Sequence, residues 1–319
     1  SGTAASASRD NRRVLDFFVR GNILNPGKGG GLHRVDYGLG LKSSRASSAV
    51  TIRDGVHLRF FEGRPLEIIK FNSPGSRSEA ALEASIFAED TWTLENHLSL
   101  RFGLNVNYAR GWVPGSGASA EGGISWLNLS PRAGLVLPLT RSGKSSLRFF
   151  AGRYHFRLPL NYLSYGNPNA LGGRAYSWND PNGDTIPQES ETRLLLRREG
   201  PFFASIDTRL KRPFTDELSA GFARRSNSGW RFGVTAYLRR TRNLIAAVNT
   251  GVPLSSYDTR TIHEIGDDRI PGTHDDLEFV VYDQKPGTFG RDFFLLTNTG
   301  PEEPDSDYYG LDVNILKRT

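Results

Sequence analysis

Residues Leu98 to Tyr108 read LSLRFGLNVNY, and their alternation decides the fold class. Leu98, Leu100, Phe102, Leu104, Val106 and Tyr108 share one phase; Ser99, Arg101, Gly103, Asn105 and Asn107 share the other. Strict period two makes a β-strand with one apolar and one polar face. The run is as long as the ~9 to 11 residues that a tilted strand needs to cross a bilayer, whereas sandwich strands usually stop near ~5 or 6.

The pattern recurs on both sides. Val35, Tyr37, Leu39 and Leu41 alternate; so do Leu127, Leu129, Ala133, Leu135, Leu137 and Leu139, with Pro131 as a break. Trp230, Phe232, Val234, Ala236 and Leu238 stand opposite Arg231, Gly233, Thr235, Tyr237 and Arg239. Tyr309, Leu311, Val313 and Ile315 alternate with Tyr308, Gly310, Asp312 and Asn314. Leu147 to Phe156 has apolar residues in both phases, which suggests a bulge and leaves its facing open.

Composition narrows the class. The chain has 319 residues, 40 basic against 34 acidic, for a net charge of +6. Its 35 glycines and 17 prolines suit many turns, and 37% apolar content suits a large helix-packed core poorly. With no cysteine, disulfides, thiolate metal sites and thiol catalysis drop out. With no methionine, and a start at Ser1-Gly2-Thr3 that has neither a charged nor an apolar leader region, the expectation is an interior piece or a processed form of a longer protein. Leu244 to Val248 is among the longest apolar runs, far short of the ~20 residues of a transmembrane helix. A soluble all-β protein or an outer-membrane barrel remains.

Connection lengths favour the barrel. Short links at Leu94 to His97, Thr140 to Ser145 and Ser226 to Gly229 interleave with long ones at Arg110 to Gly123, Leu158 to Asp216 and Asn249 to Glu278. Outer-membrane barrels have short periplasmic turns and long external loops. Crossings are therefore expected at roughly 12 to 24, 33 to 42, 80 to 92, 97 to 109, 124 to 139, 146 to 157, 217 to 225, 230 to 245 and 307 to 318. An odd set does not close as an ordinary bacterial barrel.

Phe87-Ala88-Glu89-Asp90-Thr91-Trp92, followed by a short turn and LSLRFGLNVNY, resembles a hairpin of TonB-dependent outer-membrane receptors. NLSPRAGLVLPL, LKRPFTDELSAGFARR with LRRTRNLIAAVN, and DYYGLDVNILKR are similar to the Oar-like branch, and the likeness runs from about Arg34 onward. The resemblance implies an all-β fold: an antiparallel transmembrane β-barrel portion with long extracellular loops, incomplete in residues 1 to 319. It implies energy-coupled uptake of an unidentified extracellular ligand across the outer membrane of a Gram-negative-type bacterium. The implied partners are outer-membrane lipid, and TonB with its inner-membrane motor, which act through N-terminal parts. Plug domain, TonB box, carboxypeptidase-regulatory-like domain and C-terminal closing strand are not found, so the resemblance concerns the parent protein. A passive porin or surface adhesin barrel is the alternative, and a secreted sugar-binding β-protein a third reading.

No enzyme is expected. His33, His57, His97, His155, His263 and His274 are scattered, without a His-Glu-x-x-His pair or a Gly-x-Ser-x-Gly elbow. Gly143-Lys144-Ser145 fails as a phosphate loop because Pro138 stands where its first glycine belongs. Asp180, Asn182, Asp184, Gln188 and Glu191 fall at positions 1, 3, 5, 9 and 12 of an EF-hand-like loop, a spacing that suits Ca²⁺. Thr185 occupies the glycine position, Pro187 stiffens the loop, and the same residues also suit a turn cluster that needs no ion. Asp267, Asp268, Asp275, Asp276 and Glu278 surround Pro271-Gly272-Thr273, either as a loop similar to one of Oar-like receptors or as a solvated tip. Arg101, Arg231 and Arg239 are expected to face a lumen; Trp92, Trp230, Trp112 and Trp126 suit interfacial girdles, with a plain core position nearly as good for any one of them. Nucleic acid is not an expected partner, because the basic residues are dispersed among acids.

Overall fold

The computed structural model describes residues 6–26, 31–94, 97–115, 123–267, 269–300 and 306–317. The chain opens with the hairpin β1 (Ser6–Pro26) and β2 (Leu32–Ile52), then a smaller one, β3 (Val56–Phe61) and β4 (Arg64–Phe71). β5 (Gly75–Thr93), β6 (Ser99–Trp112), β7 (Ile124–Pro138) and β8 (Ser145–His155) follow as a meander. The next connection holds β9 (Gly173–Trp178), β10 (Thr192–Glu199) and β11 (Ala204–Ile206). After β12 (Phe214–Arg225) and β13 (Trp230–Arg242) come β14 (Ile245–Asn249), β15 (Tyr257–Glu264), β16 (Leu277–Gln284) and β17 (Phe294–Asn298), and then β18 (Ser306–Lys317).

Among the described residues, nine strands form one open antiparallel sheet in the order β1-β2-β5-β6-β7-β8-β12-β13-β18, and they coincide with the nine crossings expected from the sequence. The register keeps the alternation in step from strand to strand. Phe102 stands beside Asp90 and Ala133, Ala133 beside Ala151, Ala151 beside Leu218 and Leu218 beside Leu238. One face of the sheet is therefore apolar and the other polar across its width.

Two expectations are corrected here. β8 pairs with β7 and β12 in unbroken register, so the suspected bulge is absent. The second apolar phase comes from Phe150 and Tyr154 on the polar face. A Cβ on Gly152 would stand 2.8 Å from the Phe150 ring, so Gly152 leaves room for the ring to lie over the backbone, while Arg132 covers Tyr154 at 5.2 Å. Nor does Pro131 break β7. It sits in register opposite Leu104 inside a continuous strand.

The connections β2 to β5, β8 to β12 and β13 to β18 are not irregular loops. They build a cap from the sheet β10-β9-β4-β3 and the sheet β11-β17-β14, each joining strands from different connections. Leu158, Leu163, Ile206, Leu210 and Leu296 of the cap pack on Ala81, Ala109, Ile124 and Trp126 of the wall. Leu163 is fully buried, a contribution of about 1.5 to 3 kcal/mol. This packing overturns the girdle role of Trp126, which lies on the polar-phase side and donates from Nε1 to the Leu210 carbonyl at 2.7 Å.

Candidate functional site

The candidate site is the polar face of the sheet and the cap above it. Their charges are paired across neighbouring strands: Arg20 with Asp36 at 2.9 Å, Arg101 with Glu89 at 3.5 Å and Arg239 with Glu217 at 2.7 Å. Arg101 and Arg239 thus lie on the polar face, as their phase requires. On the polar face a hollow of about 570 Å³ is lined by Asp16, Lys42, Glu83, Asn107 and Arg157. A surface of both charge signs suits a hydrated solute or a polar protein surface.

Arg212 joins wall to cap. Its side chain is 3% exposed; it donates from Nε to the Phe156 carbonyl at 2.6 Å and from Nη1 to Asn107, and it lies 3.6 Å from Glu83 and over the Trp126 ring. Burial pulls its pKa down and Glu83 opposes the shift. Arg212 carries no periodicity signal because it belongs to a connection.

Glu67 of β4 is clamped by Arg197 of β10 at 2.8 and 2.9 Å, and Arg59 adds a contact at 3.0 Å. The hydrogen bond from Arg197 is the main cause that holds the Glu67 carboxyl below the usual glutamate range; burial opposes it, and the charges of Arg197 and Arg59 assist. Because the folded pKa is depressed, the clamp contributes fully above the ordinary value of about 4.3 and is lost as pH falls through the lower folded value. Hydrogen exchange across β4 and β9 should accelerate over that acidic window, and Glu67→Gln should remove the pH dependence. Asp292 ties the other connections, accepting from the Arg198 N–H at 2.8 Å and from Asn249 Nδ2 at 2.9 Å.

The 180–191 loop uses its own oxygens. Asp180 accepts from the N–H groups of Gly183 and Thr185, Asn182 from that of Asp184, and Asp184 from Ile186 N–H and Gln188 Nε2. Thr185 has φ 57°, the left-handed turn for which glycine was wanted. Glu191 is brought elsewhere: it is buried and accepts from Trp178 Nε1 at 3.2 Å and Gln188 N–H at 3.1 Å. Among the described residues no three His, Asp or Glu side chains converge as a metal-holding group. In the second acidic loop Asp276 accepts from the N–H groups of Gly266 and Gly272, while Asp268 lies outside the described residues. Of the histidines, His33 meets Asp90 at 2.7 Å beside Trp92, and His155 meets Ser130 at 3.0 Å and packs on Phe214.

No family model and no curated protein matches the chain. Among solved structures it is similar to a mutant of the ferric enterobactin receptor PfeA of Pseudomonas aeruginosa, at 13% identity and TM-score 0.35, over 99% of this chain and 50% of that one. It is also similar to the siderophore receptor PirA of Pseudomonas aeruginosa, at 14% identity and TM-score 0.35, over 95% of this chain and 62% of that one. For PirA of Acinetobacter baumannii the identity is 11% and the TM-score 0.28, over 95% and 50%. The chain spans between half and two thirds of these proteins.

Proposed function

We propose that this chain is part of the wall and loop cap of a TonB-dependent outer-membrane receptor, of the Oar-like branch, that takes up an extracellular ligand. The observation that carries the reading is the apolar face. Phe102, Leu104, Leu129, Leu218, Leu311 and Val313 are 45 to 65% exposed along one side of the sheet. In water such a face would drive aggregation, whereas hydrocarbon satisfies it and the sheet pairs its own backbone groups. The ion-paired face then lines a lumen. β13 climbs from Trp230 to Arg240, about 33 Å of strand and about 25 Å of height at a tilt near 40°, the thickness of the lipid-facing band of such barrels.

Short turns at one end become periplasmic and the cap extracellular. Ligand is captured at the cap and the polar face beside it, and TonB with its inner-membrane motor drives entry through an N-terminal plug. The full-length protein should pellet with outer membranes, leave them only in detergent, and retain the periplasmic domain of TonB on a column. Recovery in buffer alone would remove the membrane reading, and failure to retain TonB would leave an uncoupled barrel.

For the 180–191 loop the Ca²⁺ proposal has its own test. With Glu191 engaged by Trp178, an ion would draw on Asp180, Asn182 and Asp184, at an affinity no tighter than the ~0.1 to 1 mM of extracellular modules. Calorimetry should show Ca²⁺ heat that Asp184→Ala removes; no heat in either protein leaves a hydrogen-bonded turn.

A further inference from the structure

β15 and β16 form a sheet of their own, paired from Tyr257 with Gln284 to Glu264 with Leu277 and, among the described residues, with no other strand. The outer edge of each strand is therefore a row of backbone N–H and C=O groups that no neighbouring strand takes up. Two-stranded sheets are marginal in water, and a third strand makes them stable. The two edges differ. β15 carries Asp258, Arg260, His263 and Glu264, charged and polar residues of the kind that blunt an edge. β16 reads LEFVVYDQ, and its Leu277, Phe279, Val280 and Tyr282 are 41 to 61% exposed. Alternation puts Leu277, Phe279 and Val281 on one face of the hairpin and Glu278, Val280 and Tyr282 on the other. An edge of that composition is a template for a further strand.

Charge sets which strand it takes. Residues 257 to 285 hold eight acidic side chains and three basic, a net charge of −5 in a chain whose total is +6. Arg260 meets Asp283 at 3.3 Å and Lys285 meets Asp258 at 3.4 Å, so two of the three bases already lie against acids of the hairpin. Glu278, in the middle of the apolar run of β16, lies 3.9 Å from His263. A small cation could answer the charge but not the edge, because only another extended backbone pairs with a row of N–H and C=O groups.

We propose that β16 is a docking edge for a cationic polypeptide, which binds as an added strand with apolar side chains beside Phe279 and Val281 and basic ones beside Glu278 and the Tyr282 ring. This names a class of extracellular ligand for the receptor reading above, and the hairpin's place outside the cell rests on that reading. Full-length protein in detergent, titrated by calorimetry with a peptide of alternating lysine and valine as long as β16, tests it. The controls are the counterpart with glutamate in place of lysine, and the lysine peptide N-methylated at alternate residues. The lysine peptide should bind about tenfold tighter than either control and weaken as salt rises. Glu278→Lys should weaken it about fivefold, the scale of one exposed ion pair. Alternate amides of residues 277–284 in wild type should exchange fast without peptide and slowly with it, and this measurement carries the test if Glu278→Lys fails to assemble. Equal binding of the lysine and glutamate peptides, binding untouched by N-methylation, or protection only outside the hairpin would overturn the proposal. Slow exchange along β16 before peptide is added would overturn it too, because another segment of the full-length chain or a second copy would then already cover the edge. Recovery of the protein without detergent would instead remove the membrane reading and leave the peptide binding to be measured in the same way.

Discussion

Phe102→Arg should abolish outer-membrane assembly, while Asn105→Arg should leave it intact. Both residues lie in β6, in opposite phases. Phe102 is 59% exposed on the apolar face, between Leu100 and Leu104. Asn105 lies on the polar face in register with Phe87 and Ser130. An arginine at the lipid midplane costs about 2 to 4 kcal/mol, a large fraction of the ~5 to 15 kcal/mol that holds a typical domain together. On the polar face an added guanidinium joins a surface that already holds Arg101 and Arg132. Heat-modifiable migration and outer-membrane yield read the result, and equal tolerance of both variants would contradict the assignment of faces.

Arg212→Ala should unlock the cap and spare the wall. The variant leaves the Phe156 carbonyl and Asn107 without their donor and Glu83 without its nearest cation, and removing one partner of a buried charged group costs about 3 to 5 kcal/mol. Its packing over Trp126 goes as well. Limited proteolysis on intact cells should cut within residues 156–213 in the variant and spare wild type, with unchanged heat-modifiability. Unchanged protection would mean that the apolar cluster around Leu163 holds the cap without help.

The wall was legible in the sequence because its selection rule is local. A strand with one apolar and one polar face must alternate, so LSLRFGLNVNY and its counterparts show their two faces and their length. β8 was ambiguous for a physical reason: Phe150 and Tyr154 are apolar residues on the polar face, and what admits them is Gly152 beneath one ring and Arg132 from β7 over the other. Trp126 stays open in the sequence between a membrane interface and a core, both of which suit a tryptophan near a strand end, because the cap that buries it comes from distant sequence. β9 escaped because it pairs with β4 of another connection, and β10, its neighbour within the same connection, is fixed by Glu67 with Arg197 and Asp292 with Arg198, contacts of long separation. The acidic spacing at Asp180 to Glu191 was visible, but not that Glu191 turns to Trp178, which depends on the fold of β9.

The chain holds no cysteine, so single-cysteine labelling reads the central claim directly. Spin labels placed one at a time from Leu100 to Asn107 in the full-length protein, reconstituted in liposomes, report collision with oxygen in lipid and with a nickel chelate in water. Oxygen exposure is expected at positions 100, 102, 104 and 106 and nickel exposure at 101, 103, 105 and 107. Uniform exposure, or the opposite phase, would contradict a wall with its apolar face in the membrane and its ion-paired face toward the lumen.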